Sequence, residues 1–332
     1  MDTSNGPTLL LSSAAKTLNL ASVLRMTDEQ AETVFRTVRW AETNGQAVCP
    51  HCGCPTAYEC RRPSGALRFR CKACRKDFSI TSGTLFASHK MPLRNYLAAT
   101  AIFINEVKGK SALALSRDLG TAYKTAFVLA HKLREAMASE LKGMHLGGEG
   151  ETVEIDGMYV GGYVKTANAK ENRRDRRLAA NQNGKREVVV VIREPGRRTL
   201  PAVFKTEAQA VTWIRSRVHS DTAIMADEAA SWNALHARFE VSRIDHGKLY
   251  STETGTYTNG AESFFSRLRR SEIGHHHHIS GTYLVRYTQE SAWREDHRRV
   301  SKGAQVRAVA GLAMAAPVSA DWCGYWQRRK VA

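Results

Sequence analysis

Two pairs of cysteines, Cys49-Pro-His-Cys52 and Cys71-Lys-Ala-Cys74, are separated by 18 residues, and no other feature narrows the fold of this chain as far. Two residues between thiolates let each pair turn back on one ion, and C-x2-C-x18-C-x2-C matches a tetrahedral four-thiolate zinc site. A ribbon of about 40 residues builds little core of its own, so Zn²⁺ would supply its folding energy. Of seven cysteines, six lie within 26 residues. An odd total with matched C-x-x-C pairs argues for metal in a reducing compartment and against a disulfide framework. Cys54, Cys60 and His51 are surplus to the four ligands, and Cys323 is expected to be inert.

Lys and Arg outnumber Asp and Glu by 49 to 32, a net charge of +17 in 332 residues. A surplus that large and that clustered points to a polyanion, because each neutralised phosphate releases a counterion. The N-terminal stretch has no charged region followed by an apolar block, and the Ala-rich segment 306–318 is too short to span a bilayer. The expectation is a cytoplasmic nucleic-acid-binding protein without a membrane segment.

The length fits two or three domains. Residues 1–45 read as a helical lead-in, with a helix over 28–42 that Thr27 can cap. The ribbon occupies 46–88. Residues 89–146 read as helices, the first opened by Pro92. A short helix over 111–119, a turn at Gly120 and a longer helix to about 137 make a helix-turn-helix layout. From 151 the pattern changes to α/β: strands over 152–160, 187–193, 202–205 and 222–227, with helices over 208–218, 228–239 and 259–270. A basic loop fills 165–186, and 301–332 is a C-terminal tail.

Three acids stand out in the α/β part. Asp156 sits mid-strand among apolar neighbours, where a charge is costly unless paired or bound to metal. Asp227 ends its strand, where ligands collect in open α/β sheets. Glu262 lies in the first turn of a helix, 35 positions after Asp227. Together they suit phosphoryl transfer with two Mg²⁺ or Mn²⁺ ions, hard cations that take oxygen ligands. Each acid alone could instead be a cap or a salt-bridge partner, and Asn259 competes with Glu262 as third ligand. Glu154 and Glu228 are expected to be solvated.

The ribbon, the helical segment, Val-Glu-Ile-Asp-Gly-Met-Tyr-Val-Gly-Gly (153–162), Ala-Asp (226–227) and Asn-Gly-Ala-Glu-Ser-Phe-Phe-Ser-Arg-Leu-Arg-Arg (259–270) together resemble the IS1595-family insertion-sequence transposases. In these an ISXO2-like DDE domain follows an N-terminal zinc ribbon. The resemblance covers about residues 30–300. It implies an RNase H-like mixed-sheet domain over 151–300 that cleaves element ends and joins them to target DNA. It also implies Asp156, Asp227 and Glu262 as catalytic, magnesium-binding acids, with His246 at a further family position. The family varies at its third metal position, so Asn259 stays open.

The expected partner is DNA, both terminal repeats and target, with the chain a homo-oligomer upon it. Arg61, Arg62, Arg68, Arg70, Lys72, Arg75 and Lys76 on the ribbon, Lys124 and Lys132 on the long helix, Arg173, Arg174, Arg176 and Arg177 in the basic loop, and Arg267, Arg269 and Arg270 beside Glu262 are expected to face it. His275 to His278 stand where the family shows a Gly, an aromatic and a His pair. Tyr283, Arg286, Tyr287, Trp293 and Arg294 mix rings and cations that could stack on bases. A non-catalytic DNA-binding regulator and a nuclease of the same fold are the competing readings. Only the regulator has no need of three acids.

Overall fold

The computed structural model describes residues 18–63, 65–161, 169–174, 181, 184–244 and 258–328. The chain divides into two compact units, one of Met1–Glu140 with His297–Ala332, the other Leu141–Asp296.

In the first unit a short helix α1 (Leu20–Arg25) precedes α2 (Asp28–Arg39). The Thr27 hydroxyl accepts from the Gln30 amide at 3.2 Å, and the Gln30 side chain accepts from the Thr27 amide at 2.9 Å. This capping box satisfies two orphan donors at once. The ribbon follows as an antiparallel meander of β1 (Ala57–Arg61), β2 (Leu67–Cys71) and β3 (Asp77–Phe78). Its small core is aromatic: Phe69 stacks on Phe78 with centroids 5.3 Å apart, and Trp40 meets Phe69 edge-on. Arg39 donates to the carbonyls of Ser79, Ile80 and Ser82, lashing α2 to the segment that follows β3.

Helices α3 (Leu93–Asn105), α4 (Ala112–Asp118) and α5 (Tyr123–Ser139) come next. Pro92 stands one residue before α3, at its cap, and Ser111 caps α4 through the Ala114 amide at 3.2 Å. The segment after 301, set apart as a tail on sequence, folds into this unit. Its helix Lys302–Ala315 packs on α2, α3 and α5. Trp322 stacks on the buried His131 ring at 4.2 Å. Small residues and period-poor composition hid this helix from a pattern reading.

The second unit is built on one sheet: β4 (Thr152–Val160), β5 (Glu187–Arg193), β6 (Thr199–Phe204), β7 (Ala223–Asp227) and β8 (Glu240–Ile244), in the order β6-β5-β4-β7-β8. The first three are antiparallel and β4, β7 and β8 are parallel. Mixed polarity in this order, with helices on both faces, is the RNase H-like layout. Strand alternation feeds two cores. Val153, Ile155, Val188, Val190 and Ile192 face α6 (Glu207–Arg217) and Trp232. Met158, Val160, Val189 and Val191 face α7 (Asn259–Ser271) and Leu284 and Ala292 of α8 (Gly281–Asp296).

Several expectations shift. The helix expected over 228–239 is a 3-10 stretch, Ala230–Ala237. Strand β8 and helix α8 were not expected, and β6 begins at Thr199, three residues early. No described helix is long and apolar enough to cross a membrane.

Candidate active site

The ribbon gathers its four sulfurs through two matching loops. The Cys49 amide donates to the Cys54 carbonyl at 2.9 Å, and the Gly53 amide donates back to Cys49. In the second loop the Cys71 amide donates to Lys76, and the Arg75 amide to Cys71. Gly53 and Arg75, each just past a second cysteine, both adopt the left-handed conformation. The sulfurs of Cys49, Cys52, Cys71 and Cys74 all lie within 4.8 Å of one another, with 3.7 Å between Cys49 and Cys74 and 3.6 Å between Cys52 and Cys71. A tetrahedron of Zn–S bonds near 2.3 Å has sulfur–sulfur edges of about 3.8 Å, so the donor set fits the ion in both chemistry and size. The thiols also share protons unevenly. Burial opposes ionisation of Cys49, but amide bonds from His51 and Cys52 and the Cys74 sulfur bring it down to about 7. At Cys52 the Cys54 amide favours the thiolate, yet the Cys71, Cys74 and Cys49 sulfurs and burial push it up to about 12. Four thiolates this close call for a cation.

The acids of the second unit are brought together by sheet register. In the parallel pairing of β4 with β7, Ile155 lies opposite Ala226. The next residues along, Asp156 and Asp227, therefore stand side by side on the face that α7 covers. Asp156 Oδ1 accepts from the Gly157 amide at 2.7 Å. Asp227 Oδ1 accepts from the Trp232 indole at 2.6 Å and the Ala229 amide at 3.3 Å. Arg243 holds the Asp227 carbonyl at 2.7 Å. Neither aspartate has a hydrogen bond to Oδ2 among the described residues. Burial pushes Asp156 up to about 7; the Asp227 charge adds to this, the Gly157 amide opposes it, and Glu262 and Glu207 add further. All four carboxylates thus lie in one field. They are less tightly gathered than the sulfurs, the one set of three or more ligand atoms within 4.8 Å among the described residues.

Two of these acids correct or extend the sequence reading. Glu154, expected to be solvated, is 1% exposed, and its Oε2 accepts from the Ala261 amide at 2.7 Å. Two residues before Asp156 on one strand, it shares the same face, a signal that residue type alone conceals. Glu207 was missed, since a lone first-turn acid reads as serving the helix dipole. It accepts from the Ser231 hydroxyl at 3.1 Å and lies against Gly157, where a Cβ would meet its Oε1 at 2.9 Å. Glu228 is exposed, as expected, and so is Asn259.

The expected DNA-facing cations divide. Arg61 pairs with Glu32 at 2.9 Å, Arg68 with Asp77 at 3.7 Å, and Lys72 sits over the Tyr58 ring. Arg62, Arg70, Arg75 and Lys76 are exposed. Lys124 lies over the Trp326 ring, while Lys132 is half-buried, and its pKa is lowered by that burial. Arg173, Arg174, Arg269 and Arg270 are exposed, and Arg267 pairs with Glu295. Arg176, Arg177 and His246 lie outside the described residues. Glu272 to His276 form a π-helical turn after α7, with His276 edge-on to Tyr287 at 4.7 Å.

No curated protein matches the chain. It is similar to a solved structure described as "Crystal structure of the Mos1 Strand Transfer Complex", at 11% identity over 68% of this chain and 81% of that one. The TM-score of 0.26 is too low for that likeness to carry an argument. Two family models do: a transposase zinc-ribbon domain over residues 26–77, and an ISXO2-like transposase domain over 145–296, which contains the whole sheet and all four acids. Matched by both over more than half of its length, the chain belongs to the ISXO2-like DNA transposases.

Proposed function

We propose that this transposase performs strand cleavage and strand transfer on Asp156, Asp227 and Glu262, acting on the ends of its element and on a target duplex. The observation that carries the reading is the register of β4 and β7, which sets two aspartates side by side on the face covered by the helix of Glu262. Among the described residues each aspartate keeps Oδ2 clear of donors, and Asp156 is driven toward its neutral form by burial and then by the Asp227 charge. Carboxylates so placed suit hard cations, and Mg²⁺ or Mn²⁺ held there would neutralise their charge and activate the attacking oxygen. The residues around them keep the arrangement rigid. Trp232 and the Ala229 amide fix Asp227 by one oxygen, and the Gly157 amide fixes Asp156 in the same way. The zinc ribbon's exposed Arg62, Arg70, Arg75 and Lys76 hold the DNA phosphates.

The test is incubation of the full chain with element-end DNA, target DNA and Mg²⁺, with products resolved on a denaturing gel. Cut and joined strands are expected from the wild type, and neither from Asp156→Asn or Asp227→Asn, with end binding kept. Glu262→Gln is expected to fail as they do, and Asn259→Ala to cleave. The reverse result would move the third ligand to Asn259, and cleavage by either aspartate variant would end the assignment. Cut strands that are never joined would mark a nuclease.

A further inference from the structure

We infer that Glu154 is a positioning residue for this reaction: its buried carboxylate clamps the first turn of α7 onto β4 and so sets where Glu262 stands beside Asp156 and Asp227. The inference rests on the reading of Glu262 as the third acid.

Four observations carry it. Glu154 is 1% exposed, and its Oε2 takes the Ala261 amide at 2.7 Å, an orphan donor of the helix start. A charged acceptor on such a donor makes a strong hydrogen bond and meets the positive end of the helix dipole. Second, the residue at the contact is Gly260. A Cβ there would lie 2.7 Å from Glu154 Oε2 and 3.1 Å from Arg193 Nε, so the carboxylate reaches the helix start in this position only where no side chain stands in its way. Third, the contact joins the catalytic elements directly. Glu154 is two residues from Asp156 along β4, and Ala261 is the residue before Glu262 along α7. Fourth, the anchor is itself braced. Burial raises the Glu154 pKa overall, opposed by the Ala261 amide and by Arg193 on β5, and Arg193 pairs with Glu295 of α8 at 3.0 Å, while Glu295 also takes Arg267 of α7. Burying a carboxylate is expensive, and a surface acid could have capped the helix in water. What the buried cap adds is a fixed distance between helix and strand.

The experiment uses the full-length protein and three variants: Glu154→Ala, Glu154→Gln, which keeps shape and one acceptor oxygen, and Gly260→Ala, which attacks the contact from the helix side. Hydrogen exchange of α7 reads the clamp. Glu154→Ala is expected to speed exchange at Ala261 by about tenfold, the loss of one charge-assisted bond, while β5 amides stay protected. Cleavage is read against Mg²⁺ concentration. Glu154→Ala and Gly260→Ala are expected to raise the half-saturating Mg²⁺ by about tenfold, with Glu154→Gln in between. On a Glu262→Gln background, which is not expected to cleave, Glu154→Ala should leave the Mg²⁺ affinity of the remaining two aspartates unchanged in a binding titration, because it acts through Glu262. Unchanged exchange at Ala261 would overturn the clamp. An unchanged Mg²⁺ requirement in Glu154→Ala, or a further loss of Mg²⁺ affinity in the double variant, would overturn the positioning role. If Glu262→Gln cleaves normally, the third-acid reading falls and the positioning role with it, while the exchange data still report on the clamp alone. Should Glu154→Ala fail to fold, Glu154→Gln and Gly260→Ala give the same readouts.

Discussion

The ribbon and the sheet each gather polar side chains from distant parts of the sequence, but they do so by different means. In the ribbon each half of the site is a local loop, closed by its own amide bonds, and a single hairpin brings the halves together. The sulfurs stand 3.6–3.7 Å apart, close to the edges of a tetrahedral zinc site. On the sheet Asp156, Asp227 and Glu262 are far apart in sequence. Asp156 and Asp227 meet only because β4 and β7 pair in parallel, and Glu262 is carried on a helix docked on β4 and β5. Carboxylates repel, so the scaffold must hold them together at a cost in stability. The ribbon therefore depends on its metal to fold, while the sheet folds despite its acids.

Removing the ribbon's metal is the largest perturbation this contrast predicts. A structural zinc site contributes folding free energy on the order of 10 kcal/mol. Cys49→Ser or chelation should release zinc, make residues 46–88 sensitive to protease, and weaken end binding. The melting of the second unit should not move. Retained zinc content in Cys49→Ser, or joint melting of both units, would break the contrast.

The second prediction concerns the sheet's acids and has the opposite sign. Asp156 and Asp296 both stand near pKa 7, each mainly through burial. An aspartate raised from 3.8 in this way gives its full stability below about pH 4 and loses it as pH rises through about 7. In Mg²⁺-free buffer with the ribbon zinc retained, the second unit should be less stable at pH 8 than at pH 5. Asp156→Asn should raise its stability at pH 8 by about 3 kcal/mol while abolishing cleavage, and by much less at pH 5. Urea melts at the two pH values check this. An equal effect at both would show that Asp156 carries no such burden.

How far each region could be read from sequence follows the same division. Cys49, Cys52, Cys71 and Cys74 could be picked out by spacing, because the information is local. Asp156 and Asp227 were visible as charges in strands, but that they are neighbours depends on register, which no spacing encodes. Glu154 was misjudged because burial of an acid is decided by what docks above it, here Gly260 and Ala261. Strand β8, Glu-Val-Ser-Arg-Ile, has a single fully buried residue and gave no apolar run to find. Helix α8 mixes aromatic and charged residues around its circumference, so its buried Leu284, Ala292 and Trp293 do not form an obvious stripe.

A smaller effect is expected at Gly157. Its missing side chain admits Glu207, and Gly157→Ala should cost about 1–3 kcal/mol of second-unit stability through crowding. Glu207→Ala in the same chain should recover most of that, as a double-mutant cycle in chemical denaturation would show. Independent, additive losses would mean that the close approach of Gly157 and Glu207 has no energetic weight.

The smallest effects should appear among the ribbon's cations, and they differ from residue to residue. Arg61 and Arg68 already pair with Glu32 and Asp77, whereas Arg70 and Arg75 are exposed. A cation that meets DNA releases a counterion, so deleting one phosphate contact lowers the slope of log affinity against log salt by about 0.9. Arg70→Ala and Arg75→Ala should each show a drop of that size in end binding measured across a salt series. Arg61→Ala and Arg68→Ala should show less, because removing them also frees an acid that opposes the DNA. Arg75 carries a second burden: it occupies a left-handed position at φ 61°, which glycine would fill with less strain. Arg75→Gly should therefore show the same drop in salt slope while keeping the zinc and the fold. If Arg61→Ala lowered the slope as much as Arg70→Ala, the ion pairs of Arg61 and Arg68 would have no bearing on which cations hold the phosphates.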